Sequence, residues 1–216
     1  MKRVNLFCGH YGSGKSNIAV NYAMHLKTGG LAVALCDIDI VNPYFRSADS
    51  ADELKAAGVE VITLPFANSN VDLPAIPSQV YGLVERRDIY AVMDIGGDDR
   101  GALALGRFAP YILKENDYDM FFVVNFYRPL TSTPNEALDV LREIEAASSG
   151  LKFTKIINNS NLGDQTRAED IENTLEKVSE LSRMSGLPVA FTCYSEKTEK
   201  PDIKDAFMIK LQKKII

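Results

Sequence analysis

The sequence has few of the residues that hold metals or cross-link chains. There are three cysteines, Cys8, Cys36 and Cys193, and two histidines. The cysteines lie far apart and no CxxC occurs, which excludes a zinc ribbon or a thioredoxin-type pair. So small a set of ligands argues against a metal centre held by protein alone. Cys8 and Cys36 sit in apolar runs and read as reduced core residues of a cytoplasmic protein. Long apolar runs are missing too: the longest, Leu31 to Cys36, is six residues. A membrane-spanning helix needs about 20, so none is expected, and the opening MKRVNLFCGH does not read as a signal peptide. Positive charge is not in excess. Lys plus Arg is 24 against 29 Asp plus Glu, net −5, which argues against bulk nucleic-acid binding.

What is present is an ordinary globular composition, 46% hydrophobic and 25% charged over 216 residues. Short apolar runs at roughly 3–8, 31–37, 59–64, 89–94, 120–125, 153–158 and 188–193 lack the polar alternation of a half-exposed sheet. Strands buried on both faces look like this. Helical periodicity fills the intervals. One helix starts near Lys15, buries Ile18, Tyr22, Ala23 and Leu26, and stops at Gly29-Gly30. Thr133-Pro134-Asn135-Glu136 reads as a capping box with proline at the first helical position. Thr166 and Glu169 suggest a second box, before a stripe of Ile171, Leu175, Val178 and Leu181. A C-terminal helix is expected over about 202–216, because Ile203, Phe207, Leu211 and Ile215 are four apart. It would dock on the body, with peripheral membrane contact as the lesser reading. Strand–helix alternation predicts an α/β fold over 1–216: one domain with a mainly parallel twisted sheet of about seven strands and helices on both faces. The irregular stretch Pro65 to Ser78 reads as a surface loop.

The strongest motif is Gly9-His10-Tyr11-Gly12-Ser13-Gly14-Lys15-Ser16, which fits GxxxxGK[ST] and lies between a strand and a helix. Its glycines permit turns that aim backbone N–H groups at phosphate, and the helix N-terminus adds positive charge. Gly9, Tyr11, Gly12, Ser13, Gly14, Lys15, Ser16 and Asn17 are therefore candidate nucleotide-binding residues, with Lys15 reaching the β- and γ-phosphates and Ser16 binding Mg²⁺. Asp94 ends an apolar strand before Gly96-Gly97; its carboxylate would hold Mg²⁺ through water, and the Gly97 amide would touch the γ-phosphate. Asp37 and Asp39 follow another strand and point the same way along an extended segment, Asp37 as a further metal candidate. These ends fall at the carboxyl edge of the sheet, where such folds bind ligands.

With GHYGSGKS, the Asp-x-Asp of CDIDIVNPYF, the DIGG strand end and Asn158 in KIINNSN, the chain resembles the MinD/ParA/NifH branch of the P-loop NTPases over most of its length. The resemblance implies a P-loop fold, ATP and Mg²⁺ as cofactors, and slow ATP hydrolysis that switches a protein partner of unknown identity. It implies Asp39 as the residue that positions the attacking water and Asn158 as the adenine reader, with Asn159 or Asn161 as alternatives. Asn42 to Arg46 would be a switch segment. Where the dimeric members carry a signature lysine, this chain has His10, so activation across a dimer is not implied and homodimerisation stays open. No cysteine pair suits a bridging Fe–S cluster. Arg128, Arg100 and Arg107 are candidates for an anionic substrate or phosphate. The other readings of the same motifs are a small-molecule kinase or a ligase resembling dethiobiotin synthetase, and a non-hydrolysing nucleotide sensor.

Overall fold

The computed structural model describes residues 1–38, 50–63, 78–96, 101 and 105–211. Its strands are β1 (Val4–Cys8), β2 (Val33–Asp37), β3 (Glu60–Thr63), β4 (Tyr90–Asp94), β5 (Tyr118–Val124), β6 (Lys155–Asn158), β7 (Val189–Ser195) and β8 (Ala206–Ile209). The helices are α1 (Lys15–Thr28), α2 (Ala51–Ala56), α3 (Ser78–Glu85), α4 (Ala109–Glu115), α5 (Pro134–Ala147), α6 (Ala168–Glu172) and α7 (Leu175–Ser185). All eight strands form one sheet in the order β3-β2-β4-β1-β5-β6-β7-β8, and every neighbouring pair is parallel. The fold is α/β, as the alternation predicts.

Side chains alternate across the strands and feed two apolar layers. Val4, Leu6 and Cys8 of β1, with Met120, Phe122 and Val124 of β5, face α3, α4, α5 and α7. Phe7, Phe121 and Val123 face the other way, onto Ile18, Ala19, Ala23 and Leu26 of α1 and Leu54 of α2. At the amino ends of β1 and β4, the buried Arg3 guanidinium donates to Val84 O (2.7 Å), Ile89 O (3.2 Å) and Glu115 Oε1 (2.6 Å). Arg87 also pairs with Glu115. This lock fixes the end of the sheet remote from the phosphate-loop motif.

Of three local expectations, two change and one holds. The C-terminal helix does not form over the described part of 202–216: Ala206–Ile209 is the eighth strand, and 212–216 lie outside the described residues. The run Ala206-Phe207-Met208-Ile209 suits either period. Pairing with β7 decides it, through Thr192 N to Asp205 O (2.8 Å) and Glu196 N to Ile209 O (3.0 Å). Phe207 then packs on Phe191 with ring centroids 4.8 Å apart, while Met208 points outward. The Thr133 capping box is present, with Glu136 N to Thr133 Oγ1 at 3.3 Å and Thr133 N to Glu136 Oε2 at 3.1 Å. The second helix start differs. Asp170, not Glu169, accepts the N–H of Arg167 (2.8 Å), and the expected single helix is divided into α6 and α7.

Candidate functional site

β1 delivers the chain to Gly9 in the middle of the sheet. A side chain there could not be accommodated: a Cβ on Gly9 would collide with the carbonyl oxygen of Val123. The loop then folds on itself, with Ser13 N donating to His10 O at 3.2 Å. Lys15 Nζ crosses the loop to the same carbonyl, also at 3.2 Å. The contribution of His10 in this structure is thus its backbone carbonyl; its ring Nδ1 lies 3.0 Å from Tyr11 O. Gly14 enters α1 with φ +91°, in the left-handed region. It leaves the helix without a side-chain cap, and no acidic residue occupies the first turn. The first N–H groups and the positive end of the helix dipole therefore face an open cleft.

That cleft has a volume of about 1340 Å³ and is lined at this end by Tyr11, Gly12, Gly14, Lys15, Ser16 and Asn17. Tyr11 is exposed on its rim. Gly9 and Ser13 stand behind the loop. Ser13 is buried, and its carbonyl accepts a hydrogen bond from Asn159 Nδ2 at 2.7 Å. A Cβ on Gly14 would strike the same Asn159 amide. Asn159 thus clamps the back of the phosphate loop to the end of β6.

Asp37 and Asp94 are register partners at the carboxyl ends of the adjacent strands β2 and β4, and Phe7 of β1 is in register with Asp94 on its other side. Both aspartates are buried. Burial pushes the Cys8 thiol well above its ordinary pKa; the Lys15 ammonium opposes this shift and the Asp94 carboxylate adds to it. Cation and carboxylate therefore share one electrostatic neighbourhood at the end of β1. Asp39, Gly97, Arg100, the segment Asn42 to Arg46 and residues 65–77 lie outside the described residues.

Asn158, the base reader expected from the sequence, ends β6. Its side chain is wholly buried and does not line the cleft. Nδ2 donates to Thr174 Oγ1 (2.9 Å), while Oδ1 accepts from Ser160 N (3.2 Å) and Ser160 Oγ (2.7 Å). Thr174 also donates to Ile171 O at 2.7 Å, and this buried polar knot coincides with the break between α6 and α7. Asn159 and Asn161, the alternatives left open by the sequence, do line the cleft.

Part of the cleft wall carries no motif. Tyr194 to Thr198, at the end of β7 and just beyond it, and Lys210, after β8, line it. Asn21 of α1 anchors the end of β8, donating to Lys210 O (2.9 Å) and accepting from Lys210 N (2.8 Å). Lys197 pairs with Asp164 at 3.3 Å, and Lys210 with Glu53 at 3.1 Å. Arg107 does not line the cleft, whereas Arg128 does.

No family model matches the sequence, and no curated protein matches it. Solved structures do resemble it in three dimensions. The signal recognition particle receptor FtsY from Elizabethkingia anophelis is 17% identical with a TM-score of 0.57, over 89% of this chain and 58% of that one. The cell division protein FtsY from Thermotoga maritima is 16% identical with a TM-score of 0.59, over 91% of this chain and 63% of that one. This chain therefore spans about three fifths of the length of those two proteins. A nucleotide-binding protein from Archaeoglobus fulgidus, described in complex with ADP, is 13% identical with a TM-score of 0.50, over 88% and 80% of the two chains. Among the described residues no helix is long and apolar enough to cross a membrane. The parallel sheet, the glycine loop between β1 and α1, and these likenesses together give the chain the fold of the P-loop NTPases.

Proposed function

We propose that the chain binds Mg²⁺–ATP at this loop and hydrolyses it slowly, as a nucleotide-driven regulatory or maturation switch acting on a partner protein. The observation that carries the reading is the uncapped start of α1, with Lys15 drawn across a glycine-rich loop and two buried strand-end carboxylates alongside. A triphosphate placed there would take backbone N–H groups at its oxygens and the Lys15 ammonium at the β- and γ-phosphates.

The donor set suits Mg²⁺, because the Ser16 hydroxyl and the Asp37 and Asp94 carboxylates are hard oxygen ligands of the kind this ion takes. Among the described residues no group of three or more His, Cys, Asp or Glu is placed to hold a metal, so phosphate and water would complete its shell. When bound, the ion would neutralise phosphate charge. Asp39 is the residue assigned to orient the attacking water, and the Gly97 amide is assigned to the γ-phosphate. The water oxygen bonds to the γ-phosphorus, the bond to the bridging oxygen breaks, and ADP, phosphate and a proton leave. Base selection falls to Asn161 on the cleft wall, whose amide can pair with adenine by donating and accepting together, while the Asn159 amide is engaged with the Ser13 carbonyl.

Calorimetry and single-turnover hydrolysis test the reading. Lys15→Ala should lose ATP affinity at least tenfold while staying folded, and Asp39→Ala should keep binding and lose turnover. An unchanged ATP affinity in folded Lys15→Ala would remove the assignment.

A further inference from the structure

We propose that Arg128 binds the terminal phosphate of the nucleotide, and so makes the site discriminate a nucleoside triphosphate from a diphosphate. The proposal rests on the nucleotide reading above and goes beyond it in naming a second phosphate-binding cation from the same chain. Arg128 lies across the phosphate loop: its Nε would stand 3.7 Å, and its Cδ 3.8 Å, from a methyl group built on Gly12. Gly12 is therefore the position at which the guanidinium reaches the mouth of the loop.

Charge singles out this residue. Four cations among the described residues line the cleft, namely Lys15, Arg128, Lys197 and Lys210. Lys197 and Lys210 are already paired with Asp164 and Glu53. Among the described residues the Arg128 guanidinium meets no carboxylate, although it is an exposed arginine in a chain with excess acid. A triphosphate carries more negative charge than Lys15 and one divalent cation neutralise. A planar guanidinium fork suits the remaining oxyanions.

The support beneath Arg128 is built rather than loose. Asn125 is wholly buried; its Oδ1 accepts from Tyr127 N at 3.0 Å and from Asn161 N at 3.3 Å. Its carbonyl accepts from Arg128 N (3.1 Å) and from Thr131 Oγ1 (2.8 Å). Phe126 N donates to Ser160 Oγ at 3.0 Å, and Tyr127 OH to Asp170 O at 2.8 Å. Two residues on, Leu130 is held at φ +64°, a conformation that costs a non-glycine residue free energy. This turn closes on a local cost and fixes the base of the Arg128 side chain, which lowers the entropy lost when the guanidinium takes a ligand.

The test compares a triphosphate analogue that is not hydrolysed, AMP-PNP, with ADP, each titrated with Mg²⁺ present. In Arg128→Ala, AMP-PNP affinity should fall at least tenfold while ADP affinity changes by less than threefold. Arg128→Lys should recover part of the ratio, since the charge returns without the fork. Equal losses for both nucleotides, or no loss for either, would overturn the proposal. Wild-type protein that binds neither nucleotide would overturn the nucleotide reading itself, and this proposal with it. The thermal midpoint of Arg128→Ala should match wild type within about 2 °C, as expected for an exposed side chain.

Discussion

Replacing Asn158 separates two roles that the sequence alone would merge, because the residue ends a strand beside the loop yet faces the interior. Asn158→Ala removes three buried hydrogen bonds, two to Ser160 and one to Thr174. Each contributes about 0.5–1.5 kcal/mol net, and an orphaned buried N–H adds to the loss, so about 2–4 kcal/mol is expected. Thr174 Oγ1 keeps its bond to Ile171 O, which holds the cost below the sum of four contacts. Against a typical total of roughly 5–15 kcal/mol this is a large fraction. For a chain of this length it lowers the thermal midpoint by about 5–15 °C. Urea unfolding should show the same loss in midpoint with an unchanged slope. The ratio of ATP to GTP affinity, measured on the same folded variant, should stay within about twofold of wild type, whereas Asn161→Ala should alter it, given the roughly 0.5–1.5 kcal/mol of one hydrogen bond. An Asn158→Ala protein of wild-type stability with an inverted nucleotide preference would refute this reasoning.

Three further outcomes follow from the geometry. Gly9→Ala should destabilise the fold by about 1–3 kcal/mol in chemical denaturation, because its Cβ meets the backbone of β5, which cannot rotate away. Glu115→Ala should cost about 3 kcal/mol by leaving the buried Arg3 guanidinium without its counter-charge, while Arg87→Ala, at the solvent side of the same carboxylate, should cost under about 1 kcal/mol. Burial raises the pKa of Cys8, Cys36 and Cys193 above the ordinary thiol value. The native chain should therefore resist a thiol reagent at pH 8 and label at all three sites only on unfolding. The thiols hold their protons more tightly when folded, so their stabilising contribution is complete below about pH 8.5 and falls as the pH rises from there, because the unfolded chain ionises first. Rapid labelling of the folded protein, or stability that climbs between pH 8 and 10, would contradict the burial argument.

The phosphate loop was legible because its chemistry is local. Glycines that must turn, a lysine, and a hydroxyl at fixed spacing need only the strand before and the helix after to form a site. The alternation of doubly buried strands with helices was legible for the same reason, and it placed Asp37 and Asp94 at the carboxyl edge before their register was known. Residues whose partners are distant in sequence were not legible. Ala206–Ile209 satisfies a helical period as well as a strand period, and only the free edge of β7, with its unpaired backbone groups, draws it into the sheet. Asn158 and Asn159 are neighbours of one type on one strand end. Alternation sends the first to Thr174, 16 residues away, and the second to Ser13, 146 residues away. Arg128 carried a charge that could pair with any acid; the buried Asn125 turn and the bare Gly12 beside it decided that it lies over the loop. Motif residues are specified by backbone geometry the sequence encodes within a few positions, whereas the cleft wall and the clamps behind the loop exist only once the sheet has brought remote segments together.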